Sequence, residues 1–171
     1  MKKYLTAALV ALGLTTAANA ITIGNTVGYL LDGKRPYYTL WAGGELISSP
    51  SVDHIAALEL GYTDDREAGI KTQLMPAMLD YRAQFSVTET WGGYLGLGGG
   101  MARTRVSGFG VAAEDWSAAG QGFAGLSIRL YKGFNVDLGA RYLRIADVTL
   151  AGRKIAGHDD TAVEIGGHLR F

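Results

Sequence analysis

The sequence predicts an all-β chain, and three observations lead to this prediction. The last eleven residues, Thr161–Phe171, alternate without a break between apolar and polar side chains, and a period of two is that of a β-strand. Segments with the same alternation recur along the chain between glycine-, serine- or charge-rich stretches. The composition, with 25 glycines and only 3 prolines, is typical of a strand-rich chain. The apolar face of such strands forms the core of a soluble sheet but faces lipid in a membrane barrel, and periodicity alone does not choose between them.

Residues 1–20 have the pattern of a cleaved signal peptide. A basic start precedes an apolar stretch, and the small residues Ala18 and Ala20 form the cleavage site. The apolar stretch is shorter than the roughly 20 residues that a membrane-spanning helix needs. We therefore expect export through the Sec pathway, cleavage after Ala20, and a mature domain of residues 21–171.

The charge balance and the cysteine count exclude several classes of protein. The chain has 16 basic and 16 acidic residues, and removing the two lysines of the signal leaves a slightly acidic domain. A nucleic-acid binder would need an excess of basic residues, so we expect no nucleic-acid partner. The absence of cysteine excludes disulfides and a lipid-modified N-terminal cysteine. The acidic pairs lack the spacing of an oxygen-ligand cage, and we expect no metal and no cofactor.

The first half of the mature chain contains four predicted strands. Ile21–Leu31 is the weakest, because two glycines interrupt its apolar pattern. Pro36–Gly44 begins at its proline, where a missing N–H does least harm to a sheet. Val52–Thr63 follows a turn rich in serine and alternates clearly, and the charged residues after it are predicted as a loop. Lys71–Phe85 alternates in the same way.

Four more strands are predicted in the second half. Thr90–Met101 is rich in glycine, whereas Trp116–Leu130 and Val136–Tyr142 alternate regularly on either side of a tight connection at 131–134. The terminal strand Thr161–Phe171 completes the set. Because the number of strands is even, we expect both ends of the mature chain to lie on the same side.

The terminal strand also carries a short motif. Glu164, Gly166, Leu169 and Phe171 give a polar residue, a glycine and two hydrophobic positions that end in the final aromatic residue. This pattern resembles the C-terminal assembly signal of bacterial outer-membrane β-barrels. The resemblance implies insertion by the barrel-assembly machinery into the outer membrane of a Gram-negative bacterium.

Five further segments extend the resemblance over nearly the whole mature chain. They are Leu58–Tyr62, Pro76–Arg82, Tyr94–Gly100, Gly122–Arg129 and Leu138–Tyr142. Their sequence and order resemble the small eight-stranded surface antigens, the opacity-protein and OmpA/OmpX-like group. This resemblance implies an eight-stranded antiparallel transmembrane β-barrel with both termini in the periplasm. A closed barrel is also expected on physical grounds, because lipid cannot hydrogen-bond to an open sheet edge.

The polar positions of the predicted strands form one set when they are collected. They are Glu59, Asp80, Arg82, Gln121, Arg129, Asp137, Arg141, Glu164, His168 and Arg170. A charge facing lipid at the membrane midplane costs roughly 2–4 kcal/mol, and an eight-stranded barrel has an interior just wide enough for side chains. We therefore predict a lumen of paired acids and arginines that does not conduct. The alternative is the solvated outer face of a soluble, secreted lipocalin-like barrel that binds a ligand.

The three histidines are the candidates for catalysis, because some eight-stranded outer-membrane barrels modify lipid A. Acyl chemistry needs a nucleophile or a water activated by histidine, with a carboxylate that orients the imidazole. His54 lies on the apolar face, His158 lies in a polar loop before two aspartates, and His168 belongs to the polar set. None is placed beside a serine as in those enzymes. We predict no catalytic residue and keep a lipid A-modifying enzyme as the alternative.

The function that we predict is a structural or surface-interaction, adhesin-like role for a monomeric barrel surrounded by outer-membrane lipid. Two polar stretches, 102–115 and 146–160, are predicted as the longest external loops. Loops carry many binding residues, and we expect an extracellular partner to contact the protein there.

Overall fold

Among the residues that the structure describes, eight antiparallel strands close into a barrel. The computed structural model describes residues 20–109, 111–150, 153–155 and 157–171. Its strands are β1 (Ile21–Leu30), β2 (Arg35–Ser48), β3 (Val52–Glu67), β4 (Ile70–Ser86), β5 (Trp91–Gly108), β6 (Val111–Tyr131), β7 (Phe134–Ile145), β8 (Val148–Leu150), β9 (Arg153–Ile155) and β10 (His158–Arg170). The barrel order is β1-β10-β7-β6-β5-β4-β3-β2, and β8 pairs with β9 in a separate hairpin. The predicted all-β barrel is confirmed. Ala18 and nearly all of the predicted signal peptide lie outside the described residues.

The first and last barrel strands close the sheet. β1 pairs with β10 on one side and with β2 on the other along almost its whole length. The amide of Phe171 donates to the carbonyl of Ile21 at 2.9 Å. Residues 21 and 171 therefore lie at the same end of the barrel, which we call the terminal end. The weakest predicted strand is therefore a full member of the barrel. Its glycines make room inside, because a Cβ at Gly24 would collide with the indole of Trp41.

The prediction of a loop at 102–115 is wrong. β5 and β6 run through this stretch, and Gly108 pairs with Val111 across a tight turn at Phe109. The charged residues 64–67, also predicted as a loop, belong to β3. Both stretches carry polar residues on both faces, so the apolar alternation stops although the backbone ladder continues.

The stretch 146–160 is also more regular than a loop. It contains the hairpin of β8 and β9, and β10 begins within it at His158. The amide of Thr149 in this hairpin donates to the Asp115 carboxylate at 3.0 Å. That hydrogen bond ties the hairpin to β6.

The strands β3 to β6 rise further than the others at the end opposite the termini, the distal end. β2 pairs with β3 only up to the pair Tyr38 and Tyr62, beyond which β3 continues with β4. β5 and β6 have 18 and 21 residues, against 10 in β1. We call the rising part, residues 63–74 and 102–118, the distal blade.

The distribution of apolar and polar side chains between the two faces of the sheet is the reverse of that in a soluble barrel. Exposed apolar side chains cover the outer face of the strands and include Val27, Leu40, Leu60, Leu79, Leu97, Leu126, Leu138 and Ile165. Acidic, basic and amide side chains are buried inside, among them Glu59, Asp80, Arg82, Gln121 and Glu164. The soluble lipocalin-like alternative requires the reverse arrangement. In the described part of the chain, no helix has the length and apolar character to cross a membrane.

Candidate functional site: the lumen

The centre of the lumen is a buried ion-pair cluster around Arg141. Nε donates to Glu164 at 2.9 Å, and the two Nη groups donate to both carboxylate oxygens of Glu59. One Nη also donates to the Gln121 side-chain carbonyl at 2.6 Å. All three charged side chains are essentially inaccessible to solvent. A planar guanidinium forms such a fork with a carboxylate, and this one joins β3, β6, β7 and β10 across the lumen.

Asp80 extends the Arg141 cluster through a neutral amide. The Gln121 amide donates to Asp80 at 2.8 Å and to Glu59 at 3.1 Å. A Cβ at Gly98, on the next strand, would collide with the Asp80 carboxylate. The glycines of β5 therefore provide the space that the polar interior needs.

Arg82 lies in an aromatic cage, and among the described residues it forms no ion pair. Its guanidinium carbon is 4.0 Å from the ring centre of Trp41, 4.8 Å from that of Phe123 and 5.1 Å from that of Tyr94. Its Nε has no hydrogen-bond partner within the described ranges. Desolvated cation–π contacts contribute about 2 kcal/mol or more.

The sequence prediction of the lumen missed this cage. The pattern that could have indicated it is the presence of aromatic residues on the polar face of the strands.

A buried His–Asp pair lies on the terminal side of this cage. His168 Nδ1 is 2.7 Å from the Asp137 carboxylate, and the imidazole packs 5.9 Å from the Trp41 ring. Ser127 pairs with Asp137 in the ladder between β6 and β7. The Ser127 hydroxyl is buried and has no hydrogen-bond partner among the described residues.

At the terminal mouth the structure separates two residues that the sequence grouped with the lumen set. Arg170 donates to Glu45 and to Asp53 and so links β10 with β2 and β3. Arg129 is exposed and does not contact the Arg141 cluster. Sequence reasoning missed Glu45, which lies between a predicted strand and a predicted turn, and it left Asp53 out of the lumen set although Asp53 shares the inward face of Glu59.

The distal side of the lumen contains a cluster of buried apolar side chains, which we call the apolar plug. Its buried side chains are Leu30, Leu74, Ala102, Leu143, Ile145 and Ala162. Beyond this plug, Asp160 accepts hydrogen bonds from the amides of Asp32 and Gly33 at 3.0 and 2.9 Å. Burial raises the pKa of the Asp160 carboxyl, but these amides and His158 outweigh it, and the pKa lies below its usual value. Asp160 thus holds the turn between β1 and β2 over the plug.

The remaining two histidines lie apart. His54 is on the outer face, where Nδ1 contacts the Tyr81 hydroxyl and the two rings stack 5.9 Å apart. His158 lies at the distal mouth, 3.3 Å from the Asp160 carboxylate. The structure therefore brings no two histidines into one site.

The residues of the C-terminal motif divide between the two faces of β10. Glu164 is buried in the Arg141 cluster, and a Cβ at Gly166 would collide with the Asn25 carbonyl. Leu169 and Phe171 are 44% and 73% exposed on the outer face. Their role as an assembly signal stays a prediction.

Comparison with known proteins shows the fold class. No family model matches the chain, and no curated protein matches its sequence. Neisserial surface protein A superposes with a TM-score of 0.66 at 15% identity, covering 89% of this chain and 95% of that one. Ail, the attachment invasion locus protein of Yersinia pestis, gives 0.60 at 19%, covering 89% and 97%, and a further structure of Ail contains the heparin analogue sucrose octasulfate. The outer membrane enzyme PagL gives 0.52 at 14%, covering 86% and 98%.

These likenesses confirm the predicted eight-stranded transmembrane β-barrel fold. The same fold occurs in a surface protein, an attachment protein and an enzyme, so the fold does not decide the function. The contacts of this chain must do so.

Proposed function

We propose that this chain is an outer-membrane β-barrel with a sealed lumen and a structural or surface-contact role. The observation that supports the proposal is the packing of side chains inside the lumen. Residues 30, 74, 143 and 145 contribute to an apolar plug at one end, and the Arg141 cluster crosses the middle. Neither leaves the polar path from end to end that a passive pore requires.

The outer membrane of a Gram-negative bacterium is the location that we propose, reached by Sec export and the barrel-assembly machinery. The apolar outer face, the predicted signal peptide and the terminal Phe171 support it. The test is electrophoretic mobility of the outer-membrane fraction, unboiled and boiled. We expect a mobility shift on heating and no protein in the periplasm, whereas a soluble protein without a shift would contradict the proposal. Chemical cross-linking in native membranes tests the proposed monomer.

The sealed lumen is tested by conductance in planar lipid bilayers. We expect the wild type to give no steady single-channel current. The double substitution of Leu143 and Ile145 by Ser removes two members of the plug, and a larger but still small current is expected because the Arg141 cluster remains. A steady wild-type current would contradict a sealed lumen.

The distal blade is the surface that we propose for contact with an extracellular partner, together with the hairpin of β8 and β9. Residues 63–74 and 102–118 carry five acidic and four basic residues, and two pairs are close, since Lys71 lies 3.0 Å from Asp64 and Arg103 donates to Glu114. A surface without excess positive charge does not favour a sulfated polysaccharide, so we propose a protein partner. Heparin affinity chromatography at low salt tests this choice, and retention that requires high salt for elution would contradict it.

We propose that the chain is not an enzyme. The His168–Asp137 pair has the arrangement of a base and its orienting carboxylate, but the nearby Ser127 hydroxyl is not hydrogen-bonded to the imidazole. His158 contacts an aspartate whose other partners are backbone amides. Mass spectrometry of lipid A from cells with and without the protein is the test. A change in acylation that His158→Ala abolishes would establish the alternative of a lipid A-modifying enzyme.

A further inference from the structure

The charged side chains of the distal blade divide between its two faces. Alternation along the strands puts all four basic residues on the face that continues the apolar outer surface, together with two of the five acids. These residues of the outward face are Arg66, Lys71, Arg103, Arg105, Asp64 and Glu114. The other acids, Asp65, Glu67 and Asp115, lie on the inward face. The outward face therefore carries more basic than acidic residues, although the blade as a whole does not.

Ion pairs on the outward face leave Arg105 without an acidic partner. Lys71 lies 3.0 Å from Asp64, and Arg103 donates to Glu114. Within the described ranges Arg105 forms no ion pair, and the acid opposite it in the ladder between β5 and β6 is the same Glu114. One carboxylate therefore serves two arginines, and a positive charge remains over.

A shallow pocket lies beside these two arginines. It has a volume of about 200 Å³ and is lined by Gln73, Met75, Arg103 and Arg105. Arg105 is exposed and Arg103 is half-buried, so both guanidinium groups can reach a ligand. The planar guanidinium binds phosphate and carboxylate groups through two parallel hydrogen bonds. The pocket therefore fits one small anionic group.

The pocket lies where the apolar outer surface ends. The outward residues of β5 are apolar or glycine from Trp91 to Met101, and Arg103 and Arg105 follow them. Ten residues separate Trp91 from Met101, and at about 3.4 Å each along a strand tilted by about 40° they span roughly 26 Å of membrane thickness. The apolar band of an outer-membrane barrel is about 25 Å tall. Trp116 stands opposite Arg103 in the ladder, and tryptophan is enriched at the membrane–water interface. The two arginines therefore stand at the level of the lipid headgroups.

We propose that the outward face of the distal blade binds the phosphate group of an outer-leaflet lipid. The phosphate lies between Arg103 and Arg105, and the acyl chains run along the apolar outer surface past Met75. This inference rests on the proposed location in the outer membrane and adds a lipid ligand to it. Lipid then covers the part of the blade nearest the membrane, and the tip of the blade is left to the extracellular partner.

The test uses the isotopically labelled mature protein in nanodiscs of phosphatidylcholine. The mole fraction of phosphatidic acid is raised at constant ionic strength, and inorganic phosphate added to nanodiscs of phosphatidylcholine alone is the comparison. We expect saturable shifts of the backbone amide signals of Gln73 and Met75 with phosphatidic acid, and none with inorganic phosphate at the same phosphate concentration. The double variant R103Q/R105Q should bind phosphatidic acid at least about tenfold more weakly, because it loses two basic contacts to an anionic headgroup.

Two further variants keep the test decisive. Arg129→Gln removes an exposed arginine at the terminal end and should leave the binding of phosphatidic acid unchanged. Glu114→Gln removes the acid that occupies Arg103 and should strengthen binding several-fold, which is measurable even if R103Q/R105Q fails to fold.

Three outcomes would overturn the lipid site in a protein that enters the nanodiscs. They are shifts that never saturate with phosphatidic acid, shifts that inorganic phosphate reproduces, and binding that Glu114→Gln leaves unchanged. The outward face would then be left to a free anion or to an acidic protein partner, and the membrane barrel itself would stand. A protein that does not enter nanodiscs would contradict the proposed membrane barrel and the lipid site with it.

Discussion

Arg141→Leu is the substitution that tests the lumen most directly. The change removes the cation from a cluster in which Glu59 and Glu164 are both about 1% exposed, so two carboxylates lose their counter-charge without gaining solvent. Breaking a buried pair by removing one partner costs about 3–5 kcal/mol. With a urea dependence of about 2 kcal/mol per M, the unfolding midpoint should fall by about 2 M. The assay is urea unfolding in phospholipid vesicles, followed by tryptophan fluorescence and by unboiled gel mobility.

Two controls separate charge from packing in this experiment. Arg129→Leu removes an arginine that is exposed, and the unfolding free energy should change by less than about 0.5 kcal/mol. Arg141→Met combined with Glu59→Gln and Glu164→Gln leaves no charge at these three positions, and it should recover most of the lost stability. The reasoning is refuted if Arg141→Leu costs no more than Arg129→Leu. It also fails if the triple variant is as unstable as the single one.

Three other predictions concern the outer face, the glycines and the distal turn. Leu60→Arg places a charge on the exposed outer face and should reduce stability in vesicles by about 2–4 kcal/mol, whereas no change would mean that this face lies in water. Gly100→Ala should destabilise the barrel by about 1–3 kcal/mol, because its Cβ would collide with the Ala77 carbonyl. Gly122→Ala is the matched control, since the atom nearest to its Cβ lies at 3.9 Å, and equal effects in urea titrations would contradict this difference. The lowered pKa of Asp160 stabilises the fold above the carboxyl's unfolded pKa of about 3.9, and this contribution is lost as the pH falls through the lower folded value. The stability difference between wild type and Asp160→Asn should therefore be constant near pH 7 and shrink below pH 4, and a difference that grows in acid would contradict the assignment.

The parts of the fold that lie within the apolar band could be predicted from the sequence. There the outer face must be apolar and the inner face is polar or small, so residues such as Leu58, Glu59 and Leu60 alternate visibly. The strand β1 was harder to predict, because Gly24 and Gly28 stand at inward positions and interrupt the alternation of polar and apolar side chains. Glycine is needed at these positions because large side chains on neighbouring strands, such as Trp41, fill the space. No local sequence pattern reveals those neighbours.

The distal blade could not be predicted from alternation. The side chains of residues 64–67, 103–109 and 112–115 are at least partly exposed on both faces, so no physical requirement makes one face apolar, although the hydrogen-bond ladder continues. The partners of the lumen arginines could not be predicted from the sequence either. The sequence indicates that Arg82 and Arg141 point inward, but whether each meets a carboxylate or an aromatic ring depends on the stagger of strands around the barrel.

The distal blade also determines how recognition by this protein can change. Its backbone is held by continuous ladders. β4 pairs with β5 as far as Lys71 and Ser107, and β5 pairs with β6 as far as Gly108 and Val111. Its shape is therefore set before any partner binds. Binding then requires little ordering of backbone, and the entropy lost on association comes mainly from side chains, about 0.5–1.5 kcal/mol for each one immobilised. A flexible loop acquires new specificity by changing its length and conformation. A blade of this kind acquires it by substitution of outward side chains on an unchanged scaffold, one position at a time.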